Sequence, residues 1–125
     1  MNKCIQINSK IESKRDVLNK TILGDTLNIL SLLPDNFVDL LIVDPPYNLT
    51  KSYEEHTFKA LNDKEYKEYT NLWIEKVKHC LTQNASIYVC CDWKSSLIIG
   101  DVLQRHFKLQ NRITWQREKG RGAKI

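Results

Sequence analysis

The run VDLLIV, residues 38–43, constrains this chain more than any other stretch. Val38, Leu40, Leu41, Ile42 and Val43 place apolar side chains at almost consecutive positions, so they fall on both faces of a strand. A strand apolar on both sides needs cover on both sides, which is the habit of parallel sheets in α/β folds. The run stops abruptly at Asp44-Pro45-Pro46-Tyr47.

The flanking segments fit the same class. KTILGD, residues 20–25, reads as a short strand, and TLNILSLLPDN, residues 26–36, as a short helix with Asp25 or Thr26 as its cap and Pro34 as its stop. Residues 47–63 read as a polar loop. From Lys64 to about Leu81, the spacing of Tyr66, Tyr69, Leu72, Trp73, Val77, Cys80 and Leu81 predicts a helix. Gln83-Asn84 reads as a turn, Ser86–Asp92 as a second apolar strand, Ser95–His106 as a helix capped by Ser95 or Ser96, and Leu109–Gln116 as a last strand. Residues 1–19 are polar and read as an arm with some order near Val17-Leu18. The order β-α-β-α-β-α-β predicts an open, mostly parallel α/β sheet with helices on both faces.

Length and composition narrow the function classes. A chain of 125 residues, 42% hydrophobic and 27% charged, suits one domain or part of a larger one. No stretch is apolar enough to span a membrane, and MNKCIQINSK has no signal-peptide core, so a cytoplasmic protein is expected. Cys4, Cys80, Cys90 and Cys91 lack C-x-x-C or C-x-x-H spacing and read as reduced thiols, with no metal site. His56, His79 and His106 are scattered and read as structural or surface residues. Seven of the nineteen Lys/Arg and one of the fifteen Asp/Glu lie in residues 105–125, leaving the rest slightly acidic. Such a basic end fits either a nucleic-acid-facing surface or a solvated tail.

Three predicted strands end in an aspartate: Asp25, Asp44 and Asp92. In open α/β sheets ligands bind outside the carboxyl ends of strands, although aspartate is also common there as a helix cap. Asp44 stands apart. A residue before proline is held extended, and Pro45 and Pro46 have fixed φ and no N–H. The Asp44 carboxylate beside a proline carbonyl makes two acceptors on a stiff, donor-poor segment. That pair suits a group with two N–H donors, such as an exocyclic amine, and Tyr47 offers a flat face for stacking. The plainer alternative is a rigid turn followed by an aromatic core residue.

DLLIVDPPYNL resembles the catalytic motif of the amino-group DNA methyltransferases, which modify adenine N6 or cytosine N4. The preceding ILGDTLNILSLLPDNF and the later WIEKVKHCLTQNASIYVCCDW and NRITWQREKGRGAK are similar to segments of the beta-ordered subgroup, in which this motif precedes the glycine motif of the cofactor site. The resemblance covers roughly residues 20–125. It implies a partial Rossmann-like methyltransferase sheet, S-adenosylmethionine as cofactor, double-stranded DNA as partner, and a target base flipped out of the duplex. It implies that Asp44, Pro45, Pro46 and Tyr47 form the catalytic motif, with the Asp44 carboxylate and Pro45 carbonyl accepting the amine hydrogens and Tyr47 stacking on the base. Asp25 corresponds to a position near the cofactor, grouped here with Asp44 and Pro45. The spelling DPPY tilts the target toward adenine, with cytosine as the alternative. Trp115 falls in a segment near the target base, Trp93 follows a strand end, and Trp73 and Tyr69 read as core. Arg117, Lys119, Arg121 and Lys124 are candidates for DNA phosphates.

The sequence departs from the family in one respect. It has no F-x-G-x-G; its glycines are Gly24, Gly100, Gly120 and Gly122. The expected organisation is therefore an N-terminal arm (1–19), the catalytic half of a methyltransferase domain (20–116) and a basic tail (117–125) that begins a missing recognition region. A truncated or split enzyme follows, needing its C-terminal half or self-association. A DNA-binding remnant without catalysis is the competing expectation.

Overall fold

A computed structural model describes residues 3–53 and 56–116. Three two-stranded ladders and three α-helices make up the described fold. Strand β1 (Lys3–Ile5) pairs in parallel with β2 (Lys20–Ile22), and α1 (Thr26–Leu30) follows. Strand β3 (Val38–Val43) pairs in parallel with β6 (Leu81–Val89), with a hairpin of β4 (Lys51–Tyr53) and β5 (His56–Phe58) and helix α2 (Asp63–Lys78) between them. Helix α3 (Trp93–His106) ends the regular structure.

Local chemistry explains the helices. Asn62 and Glu65 form a reciprocal capping box at the start of α2: the Glu65 N–H donates to Asn62 Oδ1 at 2.9 Å, and the Asn62 N–H to Glu65 Oε2 at 3.1 Å. Asp63 and Glu65 lie in its first turn and Lys76 and Lys78 in its last, matching the helix dipole. Tyr66, Thr70, Trp73, Ile74 and Val77 form its buried stripe. Trp73, Ile74 and Val77 meet Val102 of α3, and this cluster packs on Leu41 and Val43 of β3 and Val89 of β6. Lys67 of α2 and Arg105 of α3 both pair with Asp101, whose carboxyl lies below its usual range because of these cations.

The α/β class and the parallel pairing agree with the sequence reading. Several details differ. The N-terminal segment, read as an arm, contributes β1 and buries Ile7 and Val17. It is fastened further on, where the Ile11 N–H donates to the Leu32 carbonyl at 2.8 Å and Lys10 bonds both the Leu33 carbonyl and Asp35. The polar loop contains the β4–β5 hairpin. Gln83-Asn84 does not end a helix connection but lies inside β6. There the register slips, from Val38 opposite Leu81 to Leu40 opposite Ser86, so β6 absorbs extra residues as an irregularity. Asp92, not Ser95 or Ser96, caps α3. Residues 109–116 form no strand: Ile113 is 77% and Trp115 89% exposed, and neither has a ladder partner among the described residues. Alternating side chains cannot make a strand without a neighbouring edge to bond.

The cover of β3 differs too. Leu41 and Val43 face the helices, whereas Leu40 (56% exposed), Ile42 (67%) and the adjacent Tyr88 of β6 (51%) form an apolar face uncovered by any described residue.

Two predictions follow from the packing. Gly24 has φ +154°, and a Cβ there would stand 2.6 Å from Ile29 Cδ1. The Ile29 methyl can move, but the backbone strain remains, so Gly24→Ala should destabilise the chain by about 1–3 kcal/mol, read as a lower urea midpoint. The buried Cys80 thiol is pushed from its ordinary 9.0 up to about 11, chiefly by burial. A thiol whose ionisation is raised on folding contributes stability that is intact below pH 9.0 and is lost as pH rises through about 11. The urea midpoint of the wild type should therefore fall more steeply across that window than that of Cys80→Ala.

Candidate active site

The site grows from the ends of β3 and β6. Their parallel register runs to Val43 opposite Val89, and the Cys90 N–H continues it by donating to the Val43 carbonyl at 2.8 Å. Both strands thus release their chains at one rim. Asp44 leaves β3 there and is exposed; Pro45 beneath it is buried; Pro46 is exposed and Tyr47 half-buried.

The turn is held from below. The Tyr66 hydroxyl, from the start of α2, donates to the Pro46 carbonyl at 2.9 Å. The Asn48 N–H donates to the Ser95 hydroxyl oxygen of α3 at 3.3 Å. The Asn48 side chain then grips Leu61 twice, donating through Nδ2 to its carbonyl at 2.8 Å and accepting its N–H through Oδ1 at 2.7 Å. Thr50 Oγ1 accepts the Ala60 N–H at 3.1 Å. Residues 48–61 are therefore a closed excursion whose two stems are stitched together, although the sequence reads as a loose polar loop.

The three strand-end aspartates separate by their bonding. Asp25 Oδ1 accepts the Asn28 N–H at 3.1 Å and caps α1. Asp92 Oδ1 accepts the Ser95 N–H at 3.0 Å and caps α3. The plainer capping role is thus present in both. Asp44, followed by two prolines, opens no helix and keeps an exposed carboxylate.

Charge and burial shape the neighbouring groups. Burial pushes the Tyr66 phenol up, the neighbouring Ser95 hydroxyl opposes this, and the nearby Tyr69, Asp92 and Cys91 add to the rise. Tyr69, stacked on Tyr66 with ring centroids 6.2 Å apart, is also pushed up by burial and by the negative charge of Asp25. Burial and then Asp92 raise the Cys91 thiol, with Arg112 opposing. The rim is thus one electrostatic neighbourhood running from Asp25 through the two tyrosines to Asp92. At the pH of a cell its phenols and the Cys91 thiol are neutral.

Of the residues singled out from sequence, Asp44, Pro45, Pro46 and Tyr47 form one continuous turn at this rim. Asp25 is spent on its cap of α1 and is not bonded to this turn; its charge is felt at Tyr69, which stacks on Tyr66. Trp73 is core and Tyr69 half-buried against it, as read. Trp93 begins α3 and is mostly exposed, and Trp115 stands in solvent. Arg117, Lys119, Arg121 and Lys124 lie outside the described residues. Sequence reading missed Asn48, Tyr66 and Ser95 as parts of this site. The available signals were slight: an asparagine directly after the turn, a hydroxyl-bearing aromatic where α2 begins, and a serine three residues past a strand-end aspartate.

Among the described residues no cluster of His, Cys, Asp and Glu could hold a metal ion, and no helix is long and apolar enough to cross a membrane. The family model described as DNA methylase matches residues 38–124. The chain is 31% identical over 105 residues to the Type II methyltransferase M.HpaI of Haemophilus parainfluenzae, a match covering 82% of this chain and 33% of that protein. It is 29% identical to M.BamHI of Bacillus amyloliquefaciens over 78% of this chain and 23% of the relative. It is also 29% identical to M1.MboII of Moraxella bovis, over 85% and 40%. The chain thus spans only a quarter to two fifths of the length of these relatives. The family match runs from β3 through the strand-end turn and both long helices, and on that ground the chain belongs to the N6/N4 DNA methylase family.

Proposed function

We propose that this chain is the catalytic portion of a site-specific DNA methyltransferase that transfers the methyl group of S-adenosylmethionine to adenine N6. The observation that carries the reading is the exposed Asp44 carboxylate, beside the Pro45 carbonyl, on a turn that is fastened to both long helices. An aryl amine is a weak nucleophile because its lone pair is delocalised into the ring. Two fixed acceptors that take its two N–H bonds favour a pyramidal nitrogen with the lone pair directed away from them. They also stabilise the positive charge that develops on nitrogen as its bond to the methyl carbon forms, and they favour loss of the proton afterwards. Tyr47 stacks on the flipped base. S-adenosylmethionine, when bound, would supply an electrophilic methyl on a sulfonium, the methyl–sulfur bond breaking with its electron pair left on sulfur as a neutral thioether. The strand-end donor set suits such a cation, since Asp25 and Asp44 present carboxylates and Pro45 a carbonyl.

The same reading assigns residues 20–116 to the catalytic half, with residues 1–19 leading into it and residues 117–125 opening a recognition region. Arg117, Lys119, Arg121 and Lys124 meet DNA phosphates in this assignment, giving salt-sensitive binding. The remainder of the enzyme comes from a C-terminal portion that supplies the glycine motif. The uncovered face of β3 and β6 supports this, because burying Leu40, Ile42 and Tyr88 is worth about 1.5–3 kcal/mol each and the matched relatives are far longer. Cytosine N4 is the alternative target, and the spelling DPPY is what favours adenine.

Incubation of DNA with labelled cofactor, followed by nucleoside analysis, should yield N6-methyladenine from the chain joined with the remaining portion, and little from the chain alone. N4-methylcytosine would move the assignment to the other base. Asp44→Ala should lower turnover of the joined enzyme by about 100-fold or more while DNA affinity stays within about threefold. Unchanged turnover would remove Asp44 from its role. Ile42→Lys should leave the helical signal of the chain intact and abolish assembly with the remaining portion; assembly that survives the charge would refute docking on this face.

A further inference from the structure

We propose that Tyr66 is a positioning residue for this reaction: by holding the Pro46 carbonyl toward α2, it leaves the Asp44 carboxylate and the Pro45 carbonyl as the pair that meets the amine. The inference rests on the methyltransferase reading and specifies how its acceptors are chosen. Three acceptors follow one another on this segment: the Asp44 carboxylate and the carbonyls of Pro45 and Pro46. An amine with two N–H bonds can engage any two of them, and different pairs aim the nitrogen lone pair differently. Nothing in the proline geometry alone selects a pair, since both residues are stiff and neither carries an N–H.

Tyr66 makes the selection. Its side chain is fully buried, and its hydroxyl reaches the Pro46 carbonyl at 2.9 Å. Two hydrogen bonds fix the turn from behind. The Asn48 N–H donates to Ser95 Oγ, and the Tyr66 hydroxyl donates to the Pro46 carbonyl. Both partners lie near the start of a long helix, Tyr66 on α2 and Ser95 on α3. Ser95 is itself 2% exposed, and its N–H is held by Asp92. Burial also keeps the phenol protonated, so it remains a donor as pH varies. A phenylalanine at this position would keep the ring and its packing while returning the Pro46 carbonyl to competition for the amine.

The test pairs a spectroscopic reading with kinetics. In the 125-residue chain, Tyr66→Phe should shift the Pro46 carbonyl carbon and the Asp44 carboxyl resonances while methyl signals of Ile7 and Val17 stay in place. In the enzyme joined with its remaining portion, Tyr66→Phe should lower kcat by about tenfold, with KM for cofactor and DNA within about twofold. Ser95→Ala should lower kcat as well, and the double variant should lose less than the product of the two effects, because both residues act by holding one turn. Unmoved Pro46 and Asp44 resonances would overturn the proposal, and so would unchanged kcat, parallel changes in kcat and KM, or independent effects of the two substitutions. Absence of methyl transfer by the joined wild type would instead refute the methyltransferase reading, and the positioning role with it, while the resonances would still report the bond.

Discussion

Parallel pairing of β3 with β6 brings the carboxyl ends of both strands to one rim, and the rest of the described fold is arranged by that requirement. Two parallel neighbours need a crossover, and α2 supplies it, running back against the direction of the strands. A helix that runs antiparallel to its strands begins where they end. The first turn of α2 therefore carries Tyr66 beneath Pro46, and the first turn of α3 carries Ser95 beside Asn48. The apolar stripe of α2 and Val102 of α3 hold both helices to Leu41, Val43 and Val89, so the positions of the hydroxyls are set by the same packing that stabilises the sheet.

The rim also shows how one residue type divides its work. Asp25 and Asp92 each spend a carboxylate oxygen on a helix N–H, in the geometry that favours aspartate before any helix. Asp44 meets prolines instead. A proline cannot supply the N–H that a cap would accept, so the carboxylate is not consumed by local structure. The two prolines thus do more than stiffen the turn: they withhold donors from Asp44 and leave the segment rich in acceptors. The Pro46 carbonyl takes its hydrogen bond from a tyrosine hydroxyl brought by α2.

Legibility in the sequence followed the range of the interactions. Strand β3 and helices α2 and α3 could be read because their apolar periodicity is local, and the Asp-Pro-Pro-Tyr turn because its backbone restrictions belong to its own residues. Strand β1 could not, since Lys3–Ile5 is too short and mixed to show a period and gains its identity only from β2, fifteen or more residues later. The slip in β6 is a property of its pairing with Val38 and Leu40 rather than of Gln83-Asn84 alone. Residues 109–116 have the alternation of a strand and lack an edge to pair with among the described residues. Tyr66 illustrates the limit most directly: its spacing marks it as core, which it is, and nothing local reveals that its hydroxyl is aimed at a carbonyl twenty residues earlier.

That division bears on what a chain of this length can do. The bonds that hold the 44–48 turn come from Leu61, Tyr66 and Ser95, all within the described residues. The core beneath them is likewise internal, built from α2, α3 and one face of the β3–β6 pair. The other face is not: Leu40, Ile42 and Tyr88 lie open, and a parallel pair apolar on both sides is stable in water only when both are covered. Among the described residues, the turn is thus bonded from both long helices, whereas the sheet is covered on one face alone. Under the methyltransferase reading, covering the open face would add stability and cofactor contacts without having to build the acceptor geometry anew, because Tyr66 and Ser95 hold the turn from the two helices that cover the other face.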